Sequence, residues 1–233
     1  MKRLKLALLG LVSGTALLVS ANANAGGGDR AHHERPFSWT GFYLGIHAGV
    51  ATGDVDSFFS VAKASPWDHD RSGMIGGGQV GYNWQAGNIV VGVEADASWG
   101  ADVQGDSACP NPAFRCGSEI NRLASVRGRV GVTGVTPFGA KSLLYATGGW
   151  GWAEINYNAV PITPGGFSNT TSQSGYVVGG GLELAHTSNV SFKMEYLAYI
   201  LDGETISAAP LAGNVVIGDQ TVHTIRAGLN YRF

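Results

Sequence analysis

This chain has few charges, few cysteines and, beyond its first two dozen residues, no long apolar run. Nowhere past that point do 18 apolar residues follow one another, so no stretch qualifies as a membrane-spanning helix. The two cysteines, Cys109 and Cys116, do not make a zinc site by themselves. Basic residues do not outnumber acidic ones, at 15 Lys+Arg against 17 Asp+Glu. That balance withholds the basic footprint which nucleic-acid binding needs. Glycine is abundant at 36 of 233 residues, and only 14% of residues are charged. Such a composition suits strands and turns better than helices.

The N-terminus reads as an export signal. Lys2, Arg3 and Lys5 precede an apolar run over residues 6–19, and Ala23-Asn24-Ala25 supplies a small-x-small cleavage site. The run is shorter than a spanning helix and is broken by Ser13, Gly14 and Thr15. Cleavage after Ala25 is expected, giving residues 1–25 as signal peptide and 26–36 as a polar, flexible periplasmic leader. The mature chain then keeps 12 of its 15 basic residues against 17 acidic ones, a net charge near −5. His32-His33 in the leader lack a third ligand and are weak evidence for a metal site, so none is expected there.

Residues 37–233 alternate. In the closing stretch, 221–233, Ile225, Ala227, Leu229, Tyr231 and Phe233 fall on one face, and Thr224, Arg226, Gly228, Asn230 and Arg232 on the other. A strict period of two marks a strand with two unlike faces. The same pattern recurs over 41–50, 72–85, 89–100, 123–133, 175–185 and 190–201; residues 142–157 also form a strand, but their facing is ambiguous. Eight strands result. They are joined alternately by long polar connections (52–71, 101–121, 158–174, 202–220) and short turns. Eight is an even number, which lets both chain ends lie on one side, and it is the smallest size of membrane barrel. An all-β, eight-stranded, antiparallel up-and-down transmembrane barrel is the expected fold. Trp39, Phe42, Trp84, Trp99, Tyr231 and Phe233 fit its interfacial girdles. Tyr231 and Phe233 give the closing strand the aromatic end used in membrane insertion. No peptidoglycan-binding module is expected after Phe233. A soluble eight-stranded carrier would turn the faces inside out. Alternation alone does not separate the two, but the signal peptide, Phe233 and the alternating connection lengths favour the membrane.

The inward face then carries four acids, Glu94, Asp96, Glu183 and Glu195, and four bases, Arg127, Arg129, Lys193 and Arg226, with Arg232 at the rim. Counting from the short turns places Glu94 level with Arg127, Glu183 with Lys193, and Glu195 with Arg226. Buried charges persist when paired and hydrogen-bonded, and a barrel this narrow has room for side chains but none for a wide channel. A salt-bridged, filled interior is expected; a small-solute pore is the alternative. No cofactor is expected. Residues 76–81 match G-x-G-x-x-G, but they sit inside an alternating strand rather than opening a helix, as dinucleotide binding demands. His223 and Thr224 point to opposite faces of their strand and cannot cooperate as base and nucleophile. No enzymatic constellation emerges. In an oxidising compartment, Cys109 and Cys116 are expected to form a disulfide within the second long connection.

Residues 39–45 (WTGFYLG), 76–85 (GGGQVGYNWQ), 92–96 (GVEAD) and 227–233 (AGLNYRF) together resemble the small outer-membrane β-barrel family of alphaproteobacteria, the immunogenic "porin family" proteins. The resemblance covers residues 37–233. It implies an abundant, surface-exposed barrel in the Gram-negative outer membrane that contributes to envelope integrity. Its partners would be outer-membrane lipids, lipopolysaccharide and the barrel-assembly machinery. Host or environmental ligands at the long connections are a further class, haemin being one bound by some relatives. The family offers no catalytic residues to carry over.

Overall fold

A computed structural model of the protein describes residues 37–59, 67–108, 114–139, 141–161, 167–203, 205–207, 214–217 and 219–233. The signal peptide, the leader with its two histidines, and Cys109 lie outside these residues, as does the side chain of Cys116.

Eight strands form the wall: β1 (Gly41–Phe59), β2 (Trp67–Ala86), β3 (Ile89–Ala108), β4 (Phe114–Thr133), β5 (Ser142–Pro161), β6 (Phe167–Ala185), β7 (Val190–Leu201) and, last in the chain, β10 (Gln220–Arg232). Between β7 and β10 lie two short strands, β8 (Thr205–Ser207) and β9 (Asn214–Ile217). Each wall strand pairs antiparallel with its sequence neighbour, and β1 closes the circle against β10, from Tyr43 opposite Arg232 to Asp54 opposite Thr221. Closure at this level leaves the lipid no open edge. The three short turns share one end with both ends of the described chain, and Gly87 takes the positive φ of 61° that the first of these turns requires.

The alternation is realised as side-chain facing. Phe42, Leu44, Ile46, Val80, Tyr82, Val93, Val126, Val130, Ile225 and Leu229 are exposed on the outside, while their sequence neighbours are mostly buried in the lumen. This orientation rejects the inside-out carrier: the apolar face is outermost, where hydrocarbon replaces water. The fifth strand, ambiguous in sequence, points Leu144, Trp150 and Trp152 outward and Leu143, Tyr145, Ala153 and Ile155 inward. It was ambiguous because both of its faces are apolar.

Two expectations need correction. Much of the long polar connections is strand, for β1 to β6 each run 19 or 20 residues. At about 3.3 Å per residue and a tilt near 40°, such a strand rises about 50 Å, roughly twice the apolar band of an outer-membrane barrel. A strand beyond the lipid needs no apolar outer face, so its sequence loses the period of two while its ladder continues. The other correction is Trp39. Phe42, Trp84, Trp99, Tyr231 and Phe233 are exposed as girdle residues should be, but Trp39 is only 1% exposed. It precedes β1 and tucks beneath the barrel, its backbone N–H donating to Gln85 Oε1 at 2.7 Å.

Candidate functional site: the filled lumen

The lumen is stacked in three layers, and β7 and β4 climb through the upper two in the same order. On β7 the inward residues run Ser191, Lys193 and Glu195 from the short-turn end, then Leu197, Tyr199 and Leu201; on β4 they run Arg129, Arg127 and Ser125, then Leu123 and Ile120. On these two strands polar positions come first and apolar ones above them.

The lowest layer is a small apolar cluster of Trp39, Val90, Leu143 and Tyr145, with Phe37 packed against it. The Arg232 guanidinium stacks 4.7 Å from the Trp39 ring and 4.8 Å from that of Phe37, and donates from Nη1 to Ser38 O at 3.0 Å. Together these close the short-turn end.

The middle layer holds the charges. Arg127 is its hub: Nη2 lies 2.6 Å from Glu94 Oε1 and 3.0 Å from Asp96 Oδ2, and Nη1 lies 3.1 Å from Glu195 Oε1. Its Nε donates to Ser125 Oγ at 2.8 Å, and Ser125 in turn donates to Asp96 Oδ2. Arg226 joins Asp96 Oδ1 and Glu195 Oε2, each at 2.7 Å. Lys193 Nζ sits 3.0 Å from Glu94 Oε1. Arg129 Nη2 binds Glu183 Oε2 at 2.8 Å, and its guanidinium carbon lies 4.1 Å from the centre of the Tyr145 ring. Tyr43 and Tyr145 donate their hydroxyls to Glu94 Oε2 at 2.7 Å and Glu195 Oε1 at 2.8 Å. A chain of uncharged side chains leads to one of these carboxylates: Ser98, His47, Gln79 and Asn230 are each hydrogen-bonded to the next, and Asn230 donates to Glu183. Four carboxylates meet four cations, so the layer carries no net formal charge.

Of the pairings counted from sequence, Glu94 with Arg127 and Glu195 with Arg226 form ion pairs. Glu183 and Lys193 do not: they stand opposite each other in register, but Lys193 reaches Glu94 and Glu183 is taken by Arg129. Register counting finds neighbours within the wall, whereas in an eight-stranded barrel long side chains cross the lumen. β3 and β7 lie four strands apart, on opposite sides of the circle.

The upper layer was not foreseen. Ala51, Ile75, Ile120, Leu123, Ala153, Ile155, Val177, Leu197, Tyr199, Leu201 and Val222 are buried in one apolar cluster inside the barrel. A signal for it existed: residues 196–201, Tyr-Leu-Ala-Tyr-Ile-Leu, are apolar on both faces of the strand.

Inward glycines make room for these side chains. A Cβ on Gly49 would come within 2.8 Å of Arg226 Cβ, one on Gly81 within 2.3 Å of the Tyr43 hydroxyl, and one on Gly77 within 2.0 Å of Ala97 O. The G-x-G-x-x-G segment is therefore strand throughout, with Gly77 and Gly81 spacing the lumen. On the outer wall the Tyr196 hydroxyl meets His223 Nδ1 at 2.7 Å, while Thr224 is buried inside. No cluster of three or more potential metal ligands occurs among the described residues.

A closed eight-stranded wall, apolar outside and salt-bridged within, defines a transmembrane β-barrel of the bacterial outer membrane. The chain belongs to the outer membrane protein beta-barrel domain family, whose model matches residues 12–233. It is 30% identical over 211 residues to the 31 kDa outer-membrane immunogenic protein of Brucella melitensis, covering 84% of this chain and 85% of that protein. Over 161 residues it is 35% identical to a 22 kDa outer membrane protein of Rhizobium leguminosarum, covering 68% of this chain and 63% of the relative. Among solved structures, Neisserial surface protein A overlaps 83% of this chain and 98% of its own at 15% identity, with a TM-score of 0.45.

Proposed function

We propose that the protein is a structural, surface-exposed barrel that strengthens the outer membrane and conducts no solute. The observation that carries this reading is the layering of the lumen: a neutral, mutually hydrogen-bonded charge layer lies between two apolar layers. An ion crossing it would have to shed its water against apolar side chains and then break buried ion pairs, each worth several kcal/mol to keep intact. Tyr231 and Phe233, 50% and 76% exposed at the end of the closing strand, suit recognition by the barrel-assembly machinery. Lipid and lipopolysaccharide are the partners of the apolar wall.

The test is conductance across a planar bilayer containing the refolded mature protein, with folding verified by a heat-dependent gel shift. A silent membrane is expected. Reproducible unitary steps would defeat the sealed-lumen reading and make Glu94, Arg127 and Arg129 pore-lining residues. Protein extracted from outer membranes is expected to begin at Gly26, as intact mass would show; a mass including residues 1–25 would remove the export reading.

A further inference from the structure

The lipid-facing wall is not uniform. Where β2, β3 and β4 cross the upper half of the membrane, the outward residues Gly78, Ala97 and Ala124 stand side by side in register, with Ala95 next below on β3. Large exposed side chains surround them: Trp99 above, Trp152 beside Ala124, and Leu44 and Val80 below. A groove of about 350 Å³ results over Gly78, Ala95 and Ala97. Lumen packing does not require it. Unlike the inward glycines, Gly78 has open space outside it, and the nearest atom to an added Cβ is Gly45 O at 3.4 Å.

Arg122 heads this groove. It lies on β4 two residues above Ala124, opposite Trp99 on β3 and Glu154 on β5, and its side chain is 63% exposed. It stands eleven residues above Thr133, the last residue of β4 at the short-turn end. At about 3.3 Å per residue and a tilt near 40°, that is a rise of about 28 Å, just past an apolar band of about 25 Å. The long connections are outside, so the guanidinium sits at the headgroup level of the outer leaflet. Its ion pair with Glu154 is long, at 3.7 Å, and open to solvent, so it constrains Arg122 little. Among the described side chains of the outer wall, no other lysine or arginine stands at this level. A planar guanidinium suits phosphate, which it grips with two parallel hydrogen bonds. A second groove of about 350 Å³, over Gly128, Ala146 and Gly148, provides a contrast. It is headed by the apolar pair Val126 and Trp150.

We propose that the face below Arg122 is a binding site for lipopolysaccharide, with a lipid A phosphate on the Arg122 guanidinium and one acyl chain lying in the groove over Ala124, Ala97, Ala95 and Gly78. Trp99 and Trp152 border the glycolipid where its sugar meets its chains, the depth that tryptophan favours in membranes. The site rests on the reading that lipopolysaccharide is a partner of the apolar wall, and is independent of whether the lumen is sealed.

The experiment titrates the refolded mature protein, in detergent micelles, with bisphosphorylated lipid A and reads retained lipid by native mass spectrometry. One lipid A per barrel should be retained at concentrations where phosphatidylglycerol and phosphatidylethanolamine are lost. Arg122→Gln should weaken retention by about fivefold or more. Stripping the phosphates from lipid A should weaken its retention by the wild type similarly, and by Arg122→Gln hardly at all, since the variant no longer reads the phosphate. Glu154→Gln frees the guanidinium and should tighten retention. Ala97→Leu fills the groove and should weaken both forms of lipid A, whereas Ala146→Leu, in the second groove, should weaken neither. The proposal is overturned if a barrel with the gel shift of the folded state retains no lipid A, or if Arg122→Gln distinguishes the two forms as well as the wild type does. It is equally overturned if Ala146→Leu acts as strongly as Ala97→Leu, which means adhesion to the whole wall, or if phosphatidylglycerol is held as tightly, which means a general anionic-lipid site. Conductance is read separately: a silent membrane without retained lipid A removes this site and keeps the sealed barrel, and unitary steps with retained lipid A do the reverse.

Discussion

Replacing Arg127 with alanine is expected to destabilise the refolded barrel by about 3–5 kcal/mol, the cost of leaving buried charges without their partner. In a urea titration this corresponds to a midpoint lowered by on the order of 1–2 M. The effect should be this large because one guanidinium serves three carboxylates, Glu94, Asp96 and Glu195, at 2.6, 3.0 and 3.1 Å, and its side chain is shielded from solvent. Arg127→Lys keeps the charge but not the planar fork, and should recover only part of the loss. Combining Arg127→Met with Glu94→Gln removes charges of both signs and should cost less than the sum of the two single changes, the sign of direct coupling. Equal midpoints for the wild type and Arg127→Ala would mean that the network contributes nothing to stability.

The second large effect separates two adjacent glycines. Gly149 faces the lumen, where a Cβ would stand 2.1 Å from Val126 O and 2.6 Å from Arg127 Cα. Both are backbone atoms of the neighbouring strand and cannot swing aside. Gly149→Ala should therefore force β4 and β5 apart beneath the hub arginine, costing at least the 1–3 kcal/mol typical of overpacking or preventing folding. Gly148 faces the lipid, and its nearest neighbour to an added Cβ is Val177 O at 3.6 Å, an ordinary contact. Gly148→Ala should stay within about 0.5 kcal/mol of the wild type. Heat-modifiability and urea midpoints of the two variants, refolded side by side, decide the matter; equal behaviour would contradict the inward crowding.

The period of two over residues 41–50, 123–133 and 221–233 identifies staves because lipid imposes an apolar outer face on every second residue. The charges of both signs on the other face point to an interior that must pair them. Neighbours in the wall follow from counting, and so Glu94 with Arg127 was within reach. What depends on the diameter of the closed barrel was not: Lys193 reaches Glu94 across the full lumen, and Arg226 reaches Asp96 on β3. The upper apolar layer was obscured for a related reason. Leu197, Tyr199 and Leu201 alternate with Tyr196, Ala198 and Ile200, so both faces look alike and neither announces itself as interior. Trp39 misled because an aromatic residue at the start of a strand is as suited to a girdle as to a plug. Only the three-dimensional path beneath Arg232 distinguishes the two.

The height of the wall bears on how an immune system would meet this protein. Above the lipid the described residues are largely sheet, in which Ser57 lies beside both Trp67 and Ile217, and Gln104 beside Glu119. Residues adjacent on such a surface are distant in the chain, and along any one strand only every second residue faces outward. An antibody raised against the folded wall would bind a discontinuous epitope, absent from short synthetic peptides and lost when the barrel is boiled.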